Sequence, residues 1–445
     1  MSTKTLSLKT KLGYGICDMG GNLFFTLIGF YLYFFLTDGL GLTPFYTGIA
    51  MVIGRVWDAV TDPLVGYLSE RTKSRFGRRR PYMFIGAILL FVGGILMFMQ
   101  PHFSSDFFLF LWVTFAYCFF NTAYTLVNIP YGALAPELTN DYKEQSDLNG
   151  TRMFFAILGT LSCIVIGQPL IATIGWTAMG AVMGAIMMIT ALITVIVIKE
   201  PKKEIIISEA PRFREYLEIL KQREFLTILI PWSVNIGGIN IIMAVLIPFF
   251  KYIYMDQDAA GLGIVLLLVA SLSSVFVWVQ LSKKIGKKWA YIIGLVLFSV
   301  MIMIFFLFGQ QNGIVFAYVI MALAGLGHST NYVMPFSLIP DVVEWDYAQR
   351  GKRREGIYYG LWTFCSKLGQ ALAIGTVALV HTLFGYIEQA PTQTLAAQFS
   401  LKLLLGPIAV GFFVVGMVTL AFYPISPKVY QGILDKIKAR EAEKN

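Results

Sequence analysis

Apolar residues run through this chain in long blocks separated by short polar stretches, without the strict alternation of a half-buried strand. Twelve blocks are long enough to cross a bilayer as helix, which takes about 20 residues. They fall at 13–36, 44–68, 82–100, 107–129, 151–172, 178–198, 225–250, 261–281, 289–309, 314–339, 357–383 and 399–423. The first block is too long for a signal-peptide core and has no small-residue cleavage site, so it reads as span 1. The pattern predicts helix throughout.

Composition agrees with a lipid environment. Of 445 residues 57% are hydrophobic and only 14% charged, and mean hydropathy is +0.68, where soluble chains carry roughly 25% charged residues. A water-soluble fold, a disordered chain, a collagen-like chain and a disulfide scaffold are excluded. Cys17, Cys118, Cys163 and Cys365 all lie inside apolar blocks, as buried reduced thiols do. The net charge of +9 would suit a nucleic-acid binder only if the basic residues were gathered on one face. Instead, 30 of the 35 Lys and Arg residues lie at the ends of the chain and in every second loop, including the run Arg78-Arg79-Arg80. That bias places both termini and the 199–224 loop in the cytoplasm. The basic loops are expected to meet anionic lipid headgroups, with no nucleic acid as partner.

The chain repeats itself. Phe76-Gly77-Arg78-Arg79 follows span 2, and Ile285-Gly286-Lys287-Lys288 follows span 8, 209 residues on. Pro130 through Glu137 after span 4 is echoed by Pro335 through Asp341 after span 10, 205 residues on. Two matches in one order indicate parallel six-span repeats related by an axis along the membrane normal. The expected organisation is a six-helix bundle at 1–198, a cytoplasmic linker at 199–224, a second bundle at 225–423 and a cytoplasmic tail at 424–445. This is an all-α integral membrane protein with twelve transmembrane helices in two six-helix pseudo-repeats, the major facilitator fold. It points to a secondary transporter. There is no phosphate-binding Gly-Lys-Ser/Thr loop. No grouped nucleophile, base and orienter suggests an enzyme either.

Ionisable groups inside spans mark function, because each costs about 2.5–3.5 kcal/mol at the bilayer centre. Span 2 holds Arg55, Asp58 and Asp62, three and four residues apart and so on one helix face. Two acids one turn apart repel strongly in a low dielectric, and a Na⁺ or a proton between them relieves that repulsion. Arg55 can hold Asp58 when the cation has left. The bland alternative is a structural ion-pair triad. Elsewhere, Asp18 and Asn22 share a face of span 1, and Tyr124, Thr125 and Asn128 close span 4. Arg152 opens span 5, where it either faces the cavity or snorkels to the interface. Lys367 lies deep in span 11 with no acid within a turn of its own helix. His328 reads as a satisfied polar group between helices. Tyr124 and Tyr332 are the aromatics placed to stack on a sugar ring. Gly77, Arg78 and Asp341 mark the repeated loops as gating elements.

These residues resemble the glycoside–pentoside–hexuronide:cation symporters. The resemblance is carried by Lys11-Leu12-Gly13-Tyr14-Gly15, Tyr31 through Asp38, Arg55 through Pro63, Arg75-Phe76-Gly77-Arg78 and Asn128 through Leu134. It covers nearly the whole chain. It implies a cation site of Asp58, Asp62 and Thr125, with Thr61 where melibiose carriers have Asn. It implies a central cavity with Arg152, Lys367 and Tyr332, the last replacing Trp. The sugar side departs from melibiose carriers: Asn22 and Asn128 stand where those have Asp, and Gly132 replaces a stacking Trp. An anionic sugar or an uncharged glycoside would suit that change. The implied function is Na⁺- or H⁺-coupled symport of a glycoside, pentoside or hexuronide by rocking of two halves, in the inner membrane, as a monomer and without a cofactor. A lysophospholipid carrier of the same fold and a transport-inactive sugar sensor are the competing readings.

Overall fold

A computed structural model of the chain describes residues 6–139, 141–200 and 213–442. Among these residues the regular structure is helical throughout. Nine helical stretches among them have the length and hydropathy to cross a membrane. Two of the nine each hold a pair of spans. The helix Tyr142–Val197 is broken at Gly175, whose φ of 82° no helix interior adopts. On one side of the break, Thr151 and Gly159 pack against Gly15 and Met19; on the other, Val197 and Met187 pack against Gly13 and Gly20. The chain therefore reverses at Gly175. Lys287–His328 breaks likewise at Gly313, and beyond it Asn331 and Asp341 meet Tyr291 and Lys287 of the preceding span. Pro44–Arg71, 28 residues long, carries Arg55, Asp58 and Asp62 and falls outside the apolar set. With it, the twelve spans are accounted for.

Span 1 is Leu8–Gly15 and Cys17–Thr26, continuing through wide turns at Leu27–Leu32 and Phe35–Gly39. Spans 3 and 4 are Arg80–Met97 and Asp106–Gly132. Spans 7 and 8 are Arg223–Phe249 and Ala259–Ile285; span 11 is Glu355–Leu383. Span 10 continues from the Gly313 break through Thr330–Arg350, and span 12 runs from Leu395–Leu403 to Ala409–Ala421.

The chain divides into two compact units: Met1–Ser208 with His381–Thr394, and Glu209–Val380 with Leu395–Asn445. The segment between spans 11 and 12 thus groups with the first unit, which the sequence did not foretell. It is fastened there by Tyr33, whose hydroxyl meets His381 Nδ1 at 2.8 Å, and by Tyr386, whose hydroxyl donates to Asp38 at 2.7 Å. Residues 201–212 of the expected linker lie outside the described residues, and Phe213–Ile219 at its end is a short helix. The expected tail forms a helix, Pro427–Ala442. Its Arg440 donates to the Tyr347 and Ala348 carbonyls at 2.8 and 3.2 Å, joining the Gly351 N–H on Tyr347 at the end of Thr330–Arg350.

The repeat is written in the backbone as well. Positive φ recurs at Gly41 and Met255, at Gly77 and Gly286, and at Gly175 and Gly385, each pair about 210 residues apart. Arg78 pairs with Glu137 at 2.7 Å in the first unit, and Lys287 pairs with Asp341 at 2.7 Å in the second. Gly77 has a further duty. The Glu200 carboxylate accepts from the backbone N–H groups of Arg78, Arg79 and Arg80 at 2.7, 2.9 and 2.7 Å, at the start of span 3. A Cβ on Gly77 would lie 2.6–2.8 Å from that carboxylate. Gly286 has no comparable neighbour; its nearest is Pro427 at 3.5 Å. Both Ala substitutions carry the strain of a left-handed conformation, about 1–3 kcal/mol, and only Gly77→Ala also evicts Glu200. Its melting temperature should therefore fall further than that of Gly286→Ala. Equal losses would show that the Glu200 contact adds nothing.

Candidate cation and substrate sites

Span 2 begins with Pro44 in its first turn, where a missing N–H costs nothing. It then carries its charged face past span 4. Arg55 and Asp58 are each 4% exposed, and Asp62 is half-buried. Thr125 of span 4 is fully buried, and its hydroxyl lies 3.1 Å from Asp58 Oδ1 and 3.0 Å from Asp62 Oδ1. A hydroxyl has one hydrogen, so it donates to one carboxylate at a time. The two oxygens stand at most about 6 Å apart, where like charges repel by roughly 3 kcal/mol at an effective dielectric of 20. A cation or a shared proton among these three groups removes that repulsion. Pro63, next to Asp62, has no N–H to offer the Ala59 carbonyl one turn back, which leaves a further oxygen acceptor on this helix. Thr61 behaves differently: its hydroxyl turns onto the Asp58 carbonyl at 3.3 Å. Arg55 Nε is buried without a hydrogen-bond partner, with Tyr117 and Asn121 of span 4 packed around Gly54 beside it.

One helical turn along span 4, a second group of predicted residues converges. Asp18, Gly21, Tyr124, Asn128 and Tyr131 line one narrow pocket. Tyr124 stacks on Phe24 with ring centroids 4.2 Å apart, so one of its faces is already covered. Asn22 donates to the Asp18 carbonyl at 3.0 Å, one turn back on its own helix. Asp18 itself is held by Arg152, with contacts of 2.5 and 3.4 Å, and by the Tyr131 hydroxyl at 2.7 Å. The Arg152 guanidinium lies over the Tyr131 ring, 5.1 Å from its centroid, and Tyr14 stacks on that ring at 4.6 Å. Arg152 is thus tied to Asp18 rather than turned to the interface. Tyr131 and Tyr14 were passed over as site residues, although both lie in the motifs that carry the resemblance.

In the second unit, Tyr332 is 57% exposed and meets His328 edge to face at 5.1 Å. His328 is buried and bonded to Ser271 at 3.2 Å, a satisfied group between helices. Lys367 is half-buried on span 11. At the loop ends, Arg78 and Arg79 both reach Glu137, and Lys287 Nζ also donates to the Ser337 carbonyl at 2.8 Å. Burial pushes the Arg79 guanidinium below its usual value, against the raising influence of Glu137.

Twelve spans, two units with a repeated backbone and an acid pair held between helices define a multi-pass membrane transporter. The chain belongs to the MFS/sugar transport protein family, whose model matches residues 13–427. It is 26% identical to a putative sulfoquinovose importer of Escherichia coli, over 99% of this chain and 95% of that one. It is equally 26% identical to the sodium-dependent lysophosphatidylcholine symporter 1-B of Danio rerio, over 96% of this chain and 89% of that one. Among solved structures it shares its fold with the nucleoside transporter NupG (TM-score 0.67, 14% identity, covering 94% of this chain and 99% of that one).

Proposed function

We propose that this protein imports a sugar by symport with Na⁺ or H⁺, the cation bound by Asp58, Asp62 and Thr125. The observation that carries the reading is the Thr125 hydroxyl set between the two acids of span 2, 3.1 Å from Asp58 Oδ1 and 3.0 Å from Asp62 Oδ1. A cation there lowers the cost of keeping both acids charged. The pocket lined by Asp18, Tyr124, Asn128 and Tyr131 takes the sugar, and its walls share span 4 with the cation site. Tyr124 and Thr125 are adjacent in sequence, so a shift of span 4 on cation binding reaches the sugar pocket directly. Coupling of this kind works both ways, each ligand raising the other's affinity by the same factor. Alternating access then carries both inward across the cytoplasmic membrane, with the termini and basic loops on the cytoplasmic side. The chain acts as a monomer and needs no cofactor.

A second reading has one observation of its own. Ile242, Leu246, Phe298, Met301, Phe305 and Met321 of the second unit line a narrow, entirely apolar pocket, a lining whose chemistry suits a hydrocarbon tail, as a lysophospholipid carrier requires. Uptake into proteoliposomes separates the two. We expect accumulation of a hexuronide or glycoside when an inward Na⁺ or H⁺ gradient is imposed. Gradient-driven uptake of lysophosphatidylcholine, with no sugar taken up, would reverse the choice.

A further inference from the structure

We propose that His381–Thr394, the segment between spans 11 and 12, is a strap that lets go of span 1 in every transport cycle. The proposal rests on the alternating-access reading above and on no particular substrate. The segment enters from Val380 and leaves at Leu395, both in the second unit, yet packs as part of the first. Its fastenings are specific. His381 is fully buried, and its Nδ1 meets the Tyr33 hydroxyl at 2.8 Å. Tyr386, 4% exposed, stacks on the His381 ring with centroids 4.5 Å apart, and its hydroxyl donates to Asp38 at 2.7 Å. Gln389 Nε2 donates to the Gly39 carbonyl at 3.3 Å, in the wide turn that ends span 1. Within the strap, Gln393 accepts from the Ile387 N–H at 3.0 Å and donates to the Ile387 carbonyl, which holds the loop in shape.

Release follows from the lack of slack. Alternating access moves one unit against the other, and a connection between them must stretch, hinge or part. Span 11 is a single helix from Glu355 to Leu383, so His381 stands at a fixed distance from the residues of the second unit one turn before it. Sharp bends in helices need proline, glycine or an inserted residue, and neither proline nor glycine lies between Gly375 and Gly385. Gly385, with φ of 65°, turns the chain one helical turn too late to serve. His381 must therefore travel with span 11, while Tyr33 travels with span 1. The bond between them gives way, and with it the Tyr386 ring that leans on His381. The fastening is also weak enough to open. His381 Nε2 is buried without a hydrogen-bond partner. Undocking lets water reach that nitrogen, which offsets the bond lost at Nδ1.

The first test joins what should part. Full-length protein carrying Tyr33→Cys and His381→Cys is reconstituted in proteoliposomes, and the two thiols are linked by a reducible bifunctional reagent. Uptake of methyl glucuronide and of methyl glucoside, driven by an inward Na⁺ or H⁺ gradient, is read before linking, after it and after reduction. The expected result is uptake lost on linking and regained on reduction, with the reagent-treated unaltered protein as control. Undiminished uptake by the linked protein would overturn the strap and make the Tyr33–His381 contact a pivot. The second test needs no transport. Tyr33→Phe removes one hydroxyl that touches neither the Gly385 nor the Tyr386 amide, which are bonded to the Thr382 and His381 carbonyls. A strap that opens as a unit makes both amides exchange with deuterium faster by the worth of that one bond, about two- to tenfold. Exchange rates equal to those of the unaltered protein would overturn the release. Failure of the unaltered protein to take up either sugar would strike the sugar reading instead, and the exchange rates would still decide the strap.

Discussion

Asp58→Asn or Asp62→Asn should abolish cation-driven sugar accumulation while leaving sugar binding measurable. The two acids and the Thr125 hydroxyl form a set in which one hydrogen serves two carboxylates about 3 Å away. Replacing one acid by its amide removes the repulsion that a cation would relieve, and with it the gain from binding one. The sugar pocket keeps its walls, since Asp18 is held in place by Tyr131 and Arg152. The variant's sugar affinity should therefore equal that of the unaltered protein without a cation, lower than the cation-saturated value by the coupling factor. Such factors are typically about 5–150-fold. A structural triad of Arg55, Asp58 and Asp62 predicts something else: lost folding, and sugar binding lost with it. Both quantities are read on one purified variant, accumulation in proteoliposomes and binding in detergent. Full gradient-driven accumulation by either variant would remove Asp58 and Asp62 from the cation site.

The acid pair was legible in the sequence because its geometry is local. Residues three and four apart on a helix share a face whatever the rest of the fold does, and Arg55, Asp58 and Asp62 need no more than that. The spans were legible for a similar reason, since bilayer thickness sets their length. Even the reversals at Gly175 and Gly313 fall in the short gaps between apolar blocks. Contacts between helices are another matter. Asp18 and Arg152 are 134 residues apart, and periodicity says nothing about which faces of spans 1 and 5 meet. The tail helix was hidden by its charge. Tyr430, Ile433 and Ile437 supply an apolar stripe too short to register as a span, and Arg440 finishes the docking by a bond to backbone.

Arg152→Gln is expected to cost more than the double change Asp18→Asn with Arg152→Gln. Arg152 and Asp18 form a salt bridge with side chains 24% and 11% exposed, in a protein interior facing lipid. Breaking such a pair by removing one partner strands the other charge, and the penalty is about 3–5 kcal/mol. Removing both charges together strands neither, and the amides can still hydrogen-bond each other and the Tyr131 hydroxyl. The pair therefore works as one neutral unit: its guanidinium lies across the Tyr131 ring and fixes one wall of the sugar pocket. This bears on substrate charge. An anionic sugar that claimed Arg152 would have to displace Asp18 first. On this arrangement the single change should weaken methyl glucoside and methyl glucuronide alike, through the collapse of the Tyr131 wall. The double variant should recover most of the stability and much of the binding. Thermal melting and sugar binding of the two single variants and the double variant complete the cycle. A loss confined to the glucuronide would show instead that Arg152 leaves Asp18 to hold the sugar's charge, and that the salt bridge seen here is what the substrate replaces.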